Sequence, residues 1–202
     1  MRSTLPLLTL ALTALLAAPV HAADTAAKSP SPVDMQAMMS AYMQAATPGP
    51  EHARLAKLAG TYDCTTKMRM NPTDDYMEMT GTETIESILG GRFLQMHVAS
   101  PPGPMMPEGF EAAAIMGYSN SDQRYEETWV DSMGTLMLFT TGTADEAGNI
   151  TLEGTYTDPY LKVPIHQRYV WKLTDTGYTI DMYGPDMSGT EFLMGTVTAI
   201  RQ

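Results

Sequence analysis

The chain has 202 residues, 23 acidic against 12 basic side chains, a formal charge of −11 and 44% hydrophobic residues. That acidity argues against nucleic acid and anionic membrane surfaces as partners, since both are bound through basic patches. A single cysteine, Cys64, excludes an internal disulfide.

The first residues read as a secretory signal. Arg2 supplies the positive start, residues 5–16 form an apolar run too short for a membrane span, and Val20-His21-Ala22 offers a cleavage site after Ala22, with Ala23 the next choice. The expected destination is the periplasm or the medium. The residue after the cleavage point is Ala23, not the cysteine that a lipid anchor would need. Loss of residues 1–22 removes only Arg2 from the charge count, taking −11 to −12. Residues 23–32, rich in Ala, Ser, Pro and Lys, read as a disordered leader.

Residues 33–59 read as a helical segment. Ser31 is a candidate N-cap, and Met35, Met38, Met39, Tyr42 and Met43 recur at helical spacing before Thr47-Pro48-Gly49-Pro50 breaks the run. A second, shorter helix is expected from about Glu51 to Leu58, with Leu55 and Leu58 as its apolar stripe and Gly60 as its stop.

From residue 60 to 202 the period changes to two. Tyr62, Cys64, Thr66, Met68 and Met70 alternate with Asp63, Thr65, Lys67 and Arg69, and Asn71-Pro72-Thr73-Asp74-Asp75 turns the chain. Met77 and Met79 open the next strand, Gly90-Gly91 reverses it, and residues 100–109 form a Pro/Met loop suited to covering a barrel mouth. Further turns at residues 120–123, 145–149, 175–177 and 184–186 separate the remaining strands. This predicts an all-β domain with short N-terminal helices: about ten antiparallel strands in an up-and-down barrel, without parallel crossovers.

No catalytic constellation interrupts the ladder, and no GxSxG, phosphate-binding or dinucleotide motif is present. The 18 methionines suggest core or adaptable lining, with thioether binding of Cu(I) as the chemical alternative. His52 reads as a solvated helix residue. His97 and His166 lie in strands and share no local metal spacing. Glu127, Trp129 and Asp131 share one strand face, read here as outward and solvated. Their alternative readings are binding of a polar ligand, or acid–base chemistry in a hydrolase or isomerase, with His97 a further candidate. In residues 163–173 the Tyr169/Trp171 face should be the core side, leaving Arg168 in solvent.

Five ordered segments carry a resemblance: Leu58-Ala59-Gly60-Thr61-Tyr62, Ile88-Leu89-Gly90-Gly91-Arg92-Phe93-Leu94-Gln95, Gly117-Tyr118-Ser119-Asn120, Thr128-Trp129-Val130-Asp131-Ser132-Met133 and Leu152-Glu153-Gly154-Thr155-Tyr156. Together, over about Pro50 to Arg201, they resemble the bacterial domain of unknown function 1579 family. The resemblance implies a barrel of the lipocalin and fatty-acid-binding kind with a helical plug, and no established activity. Gly60-x-Tyr62 is similar to the lipocalin Gly-x-Trp start, with Tyr in place of Trp.

The functional expectation is a barrel holding a small, mostly apolar ligand lined by Tyr62, Met68, Met79, Phe93, Gln95, Trp129 and Tyr156. No catalytic residue, metal ligand or cofactor is assigned. The alternatives are copper binding through Met and His, and a ligand-free structural protein of the cell envelope.

Overall fold

A computed structural model describes residues 32–103 and 106–202. The expected signal peptide and nearly all of the expected leader lie outside the described residues, as does Met105 of the Pro/Met loop.

Two helices precede the sheet: α1 (Pro32–Ala45) and α2 (Pro50–Ala56). Helix α1 carries the methionine face anticipated from spacing, but that face is uncovered, with Tyr42 and Met43 about two-thirds exposed. Its C-terminal end is tied to the barrel. Asn120 Nδ2 donates to the carbonyls of Ala45 (3.0 Å) and Thr47 (2.8 Å), and Arg92 Nε donates to that of Ala46 (3.0 Å).

Ten strands follow: β1 (Gly60–Met68), β2 (Met77–Ile88), β3 (Phe93–Ser100), β4 (Phe110–Ser119), β5 (Arg124–Asp131), β6 (Leu138–Ala144), β7 (Ile150–Thr157), β8 (Pro164–Thr174), β9 (Gly177–Pro185) and β10 (Glu191–Arg201). Each pairs antiparallel with its sequence neighbours, and β1 pairs with β10 to close the barrel. The up-and-down barrel expected from the period-two ladder is therefore the fold. The register breaks once, between Leu193 and Gly195 of β10, where a bulge inserts one residue.

Strand alternation sends every second side chain inward. One end of the barrel is sealed. Tyr62, Ile85, Leu94, Met116, Tyr125, Ile150, Leu152, Trp171, Tyr178 and Ala199 are buried there with Leu55 and Leu58 in one cluster. Leu55 belongs to α2, which packs on β3 and β4. Its residue Glu51 accepts a hydrogen bond from the Tyr125 hydroxyl. His52, expected in solvent, is instead buried: its Nδ1 accepts the Gly49 N–H at 3.0 Å and its ring meets Tyr118 edge-on at 5.9 Å. A short helix used as a plug has no fully solvated face, which the helical spacing alone does not reveal.

Arg201 locks the seal. Its guanidinium lies over the Tyr62 ring at 4.9 Å and donates to the carbonyls of Ala59 (2.6 Å) and Lys57 (2.7 Å) and to the Tyr62 hydroxyl (2.6 Å). Tyr62 in turn donates to the carbonyl of Leu58 at 2.6 Å. The last residue of β10 thus fixes the α2–β1 junction.

Candidate functional site

The lumen changes character along its axis. Above the sealed end the inward side chains are only half-buried: Met68 on β1, Met77 and Met79 on β2, Trp129 on β5, Tyr156 on β7, and Gln167 and Tyr169 on β8. Met68, Trp129 and Tyr169 are held by ladders on both sides, whereas Met77 and Met79 pair with β1 alone, Tyr156 with β8 alone and Gln167 with β7 alone, so the wall thins toward this end. Ala114 stands directly opposite Trp129 on β4, a small residue beside a large one that leaves room for the indole.

Between seal and mouth lies a polar floor. Glu83 of β2 is 5% exposed and Glu127 of β5 is 7% exposed. Glu83 Oε2 accepts the Tyr178 hydroxyl, which reaches across the lumen from β9, and the Cys64 thiol at 3.8 Å. Glu127 Oε2 accepts the Thr140 hydroxyl at 3.3 Å. Burial raises the Glu127 carboxyl to about 7, with the Thr140 hydrogen bond opposing and the charge of Glu83 adding to the rise. Burial also raises Glu83, against the Tyr178 and Cys64 hydrogen bonds. Cys64 is pushed up to about 12, chiefly by burial and then by Glu83. It is a neutral, structural thiol rather than a nucleophile. Burial, followed by the charge of Glu127, raises Tyr169.

Among the described residues no Lys or Arg faces this pair. Six ion pairs between described residues lie on α2 or the outer wall: Arg54–Glu51, Lys67–Glu78, Arg124–Glu126, His166–Glu153, Arg168–Glu191 and Lys172–Asp181. At the rim, Trp129 Nε1 donates to Asp131 Oδ2 at 2.9 Å, and Asp131 Oδ1 accepts the Met133 N–H at 2.9 Å.

The mouth is lined by thioethers on the β9–β10–β1–β2 side. Met68 and Met77 are cross-strand partners. Gly195 lies between Met68 and Met182 in the ladder, and a Cβ there would come within 2.9 Å of Met182 and 3.0 Å of Met68. A cleft of about 320 Å³ continues from Met77 and Met79 to Ser100, Pro101 and Met106. A second cleft, of about 400 Å³, lies on the outer wall, between the C-terminal end of α1 and Phe93, Ile115 and Phe139.

Of the residues expected to line a ligand site, Met68, Met79, Trp129 and Tyr156 sit in the mouth half of the lumen. Tyr62 points inward but is 0% exposed, sealed within the closed end. Phe93 and Gln95 are corrected: both point outward, and Leu94 and Met96 take the inner face of β3. Phe93 can lie on the outer wall because its partner across β4 is Gly117, where a Cβ would stand 2.5 Å from the ring. The outward reading of Glu127, Trp129 and Asp131 is likewise overturned, since the β5 register places them inside. Glu83 was missed, although Met77, Met79, Gly81, Glu83 and Ile85 form one period-two stripe in which only the carboxylate is charged. His97 and His166 are exposed on β3 and β8, five strands apart around the ring, and do not meet. Tyr169 and Trp171 face the core and Arg168 faces out, as expected, stacked 3.9 Å over Tyr183.

Among the described residues no three His, Cys, Asp or Glu side chains group as a metal site. No described helix is long and apolar enough to cross a membrane, which says nothing of a β-barrel. A closed ten-stranded up-and-down barrel with a helical plug at one end defines a lipocalin-like architecture. The chain belongs to the family described as Protein of unknown function (DUF1579), whose profile matches residues 47–201. A comparison with curated proteins returns no match.

Proposed function

We propose that this is an exported carrier or sensor of a small, largely apolar molecule held in the mouth half of the barrel. The observation that supports this reading is the asymmetry of the lumen. Its inner face is fully packed at the α2 end and half-accessible around Met68, Met79, Trp129 and Tyr156 at the other. A barrel that merely filled itself would bury both halves alike. Flexible thioethers suit a site that adapts to its occupant. The signal-like residues 1–22 and the acidic surface support export.

Native mass spectrometry of protein purified from a periplasmic extract without denaturation tests this. The expected result is a mature mass beginning at Ala23, with an adduct of defined mass that leaves on delipidation. An unadorned protein that also takes up no apolar probe would count against the carrier reading. The convergence of Met68, Met77 and Met182 supports one alternative, Cu(I) binding through thioethers. The same spectrum separates it, because copper declares itself by isotope pattern.

A further inference from the structure

We infer that the occupant of this lumen carries a protonated amine, seated between Glu127 and Glu83 with its apolar body toward the methionine mouth. The inference rests on the binding reading above and names its chemical class.

Both carboxylates are more than nine-tenths buried, and both are engaged through Oε2 alone. Glu83 Oε1 and Glu127 Oε1 accept no hydrogen bond from the described residues. No side-chain nitrogen or oxygen among the described residues is both shut off from space and unpartnered. Each of these two oxygens therefore has open space beside it, and both side chains stand on the inward faces of β2 and β5. Two acids from strands three places apart in the ring, without an inward Lys or Arg between them among the described residues, set up a local field that favours a cation. A carboxylate-bearing ligand would meet like charge. An alcohol would satisfy one oxygen and leave the field unanswered, whereas an ammonium group offers three donors and a full charge. The half-buried Met and Trp129 surface above the acids suits an alkyl or aryl body.

Isothermal titration with octylamine, octan-1-ol and octanoate tests the charge requirement at constant chain length. Octylamine is expected to bind at least tenfold tighter than octan-1-ol, and octanoate more weakly than either. In Glu127→Gln the preference for amine over alcohol should fall at least tenfold. Equal binding of amine and alcohol, tighter binding of octanoate, or an undiminished amine preference in Glu127→Gln would overturn the inference while leaving an apolar carrier standing. Failure of all three probes to bind would overturn both.

A second measurement needs no variant. The wild-type preference for octylamine, which stays protonated throughout, should weaken at least fivefold from pH 8 to pH 5 as Glu127 takes up a proton; a flat ratio contradicts the assignment. The other groups facing the pair are Cys64, Tyr62, Tyr178, Tyr169, Tyr156 and Asp131. Burial raises the thiol and the four phenols, keeping them neutral across this range. Asp131 stands at the rim with both oxygens occupied by Trp129 and the Met133 N–H.

Discussion

Glu127 is the residue on which function and stability meet. Its carboxyl titrates near 4.5 when exposed and at about 7 when folded. The folded state therefore binds the proton more tightly than the unfolded chain. The stability this group contributes is complete below pH 4.5 and is lost as pH rises through 7. Two and a half pH units correspond to roughly 3 kcal/mol, an upper figure because the lumen wall relaxes. Glu83 acts in the same direction. Glu127→Gln keeps the shape and removes the charge, so it should match the wild type in urea at pH 4.5 and exceed it at pH 8 by up to that amount. A difference independent of pH would mean that Glu127 is not the titrating group. Little of this was legible in the sequence. The stripe from Met77 to Ile85 announces an inner face, but a lone glutamate in it looks like a solvated residue until a phenol arrives from a strand 95 positions away.

At the level of elements, sequence spacing located the strands better than it located their faces. A strand's period is two, so an error of one residue in register exchanges its inner and outer sets completely. This happened to β3 and β5. In β3, Phe93 looks like the better core residue than Leu94, and only its neighbour Gly117 on β4 explains why it lies outside. In β5, two acids flanking a Trp suggest water, yet Met116 and Thr140 on the adjoining strands hold Glu127 inside. In β8 the aromatic residues dominate one face so strongly that its orientation could be read directly. The α2 plug depends on a residue almost 150 positions downstream. Arg201→Ala removes hydrogen bonds to Lys57, Ala59 and Tyr62 together with the ring contact. Because the guanidinium is solvated, the loss should be modest, about 1–2 kcal/mol. Urea unfolding should show it as a lower midpoint at unchanged slope, and an unshifted midpoint would mean that the seal holds without Arg201.

For the molecule as a whole, the number and direction of strands were legible because turn residues punctuate a ladder of even spacing. Closure was an expectation from that count, and the β1–β10 pairing fulfils it. The two unlike ends of the lumen were not legible, since they depend on how ten inner faces taper together. Closure also orders events in time. The strand that completes the ring is the last of the ten to be made, and Gln202 N–H bonds the Thr61 carbonyl at 2.9 Å, joining the residue after β10 to the first strand. Until β10 has left the ribosome or a translocation channel, β1 and β9 both present unpaired edges. Contacts this distant in sequence form slowly. A chain ending at Thr190 should therefore be protease-sensitive and self-associating, and a monomeric, protected truncation would contradict this. Throughout synthesis the polypeptide is an open ribbon, and only its last strand, 11 residues long, makes it a container.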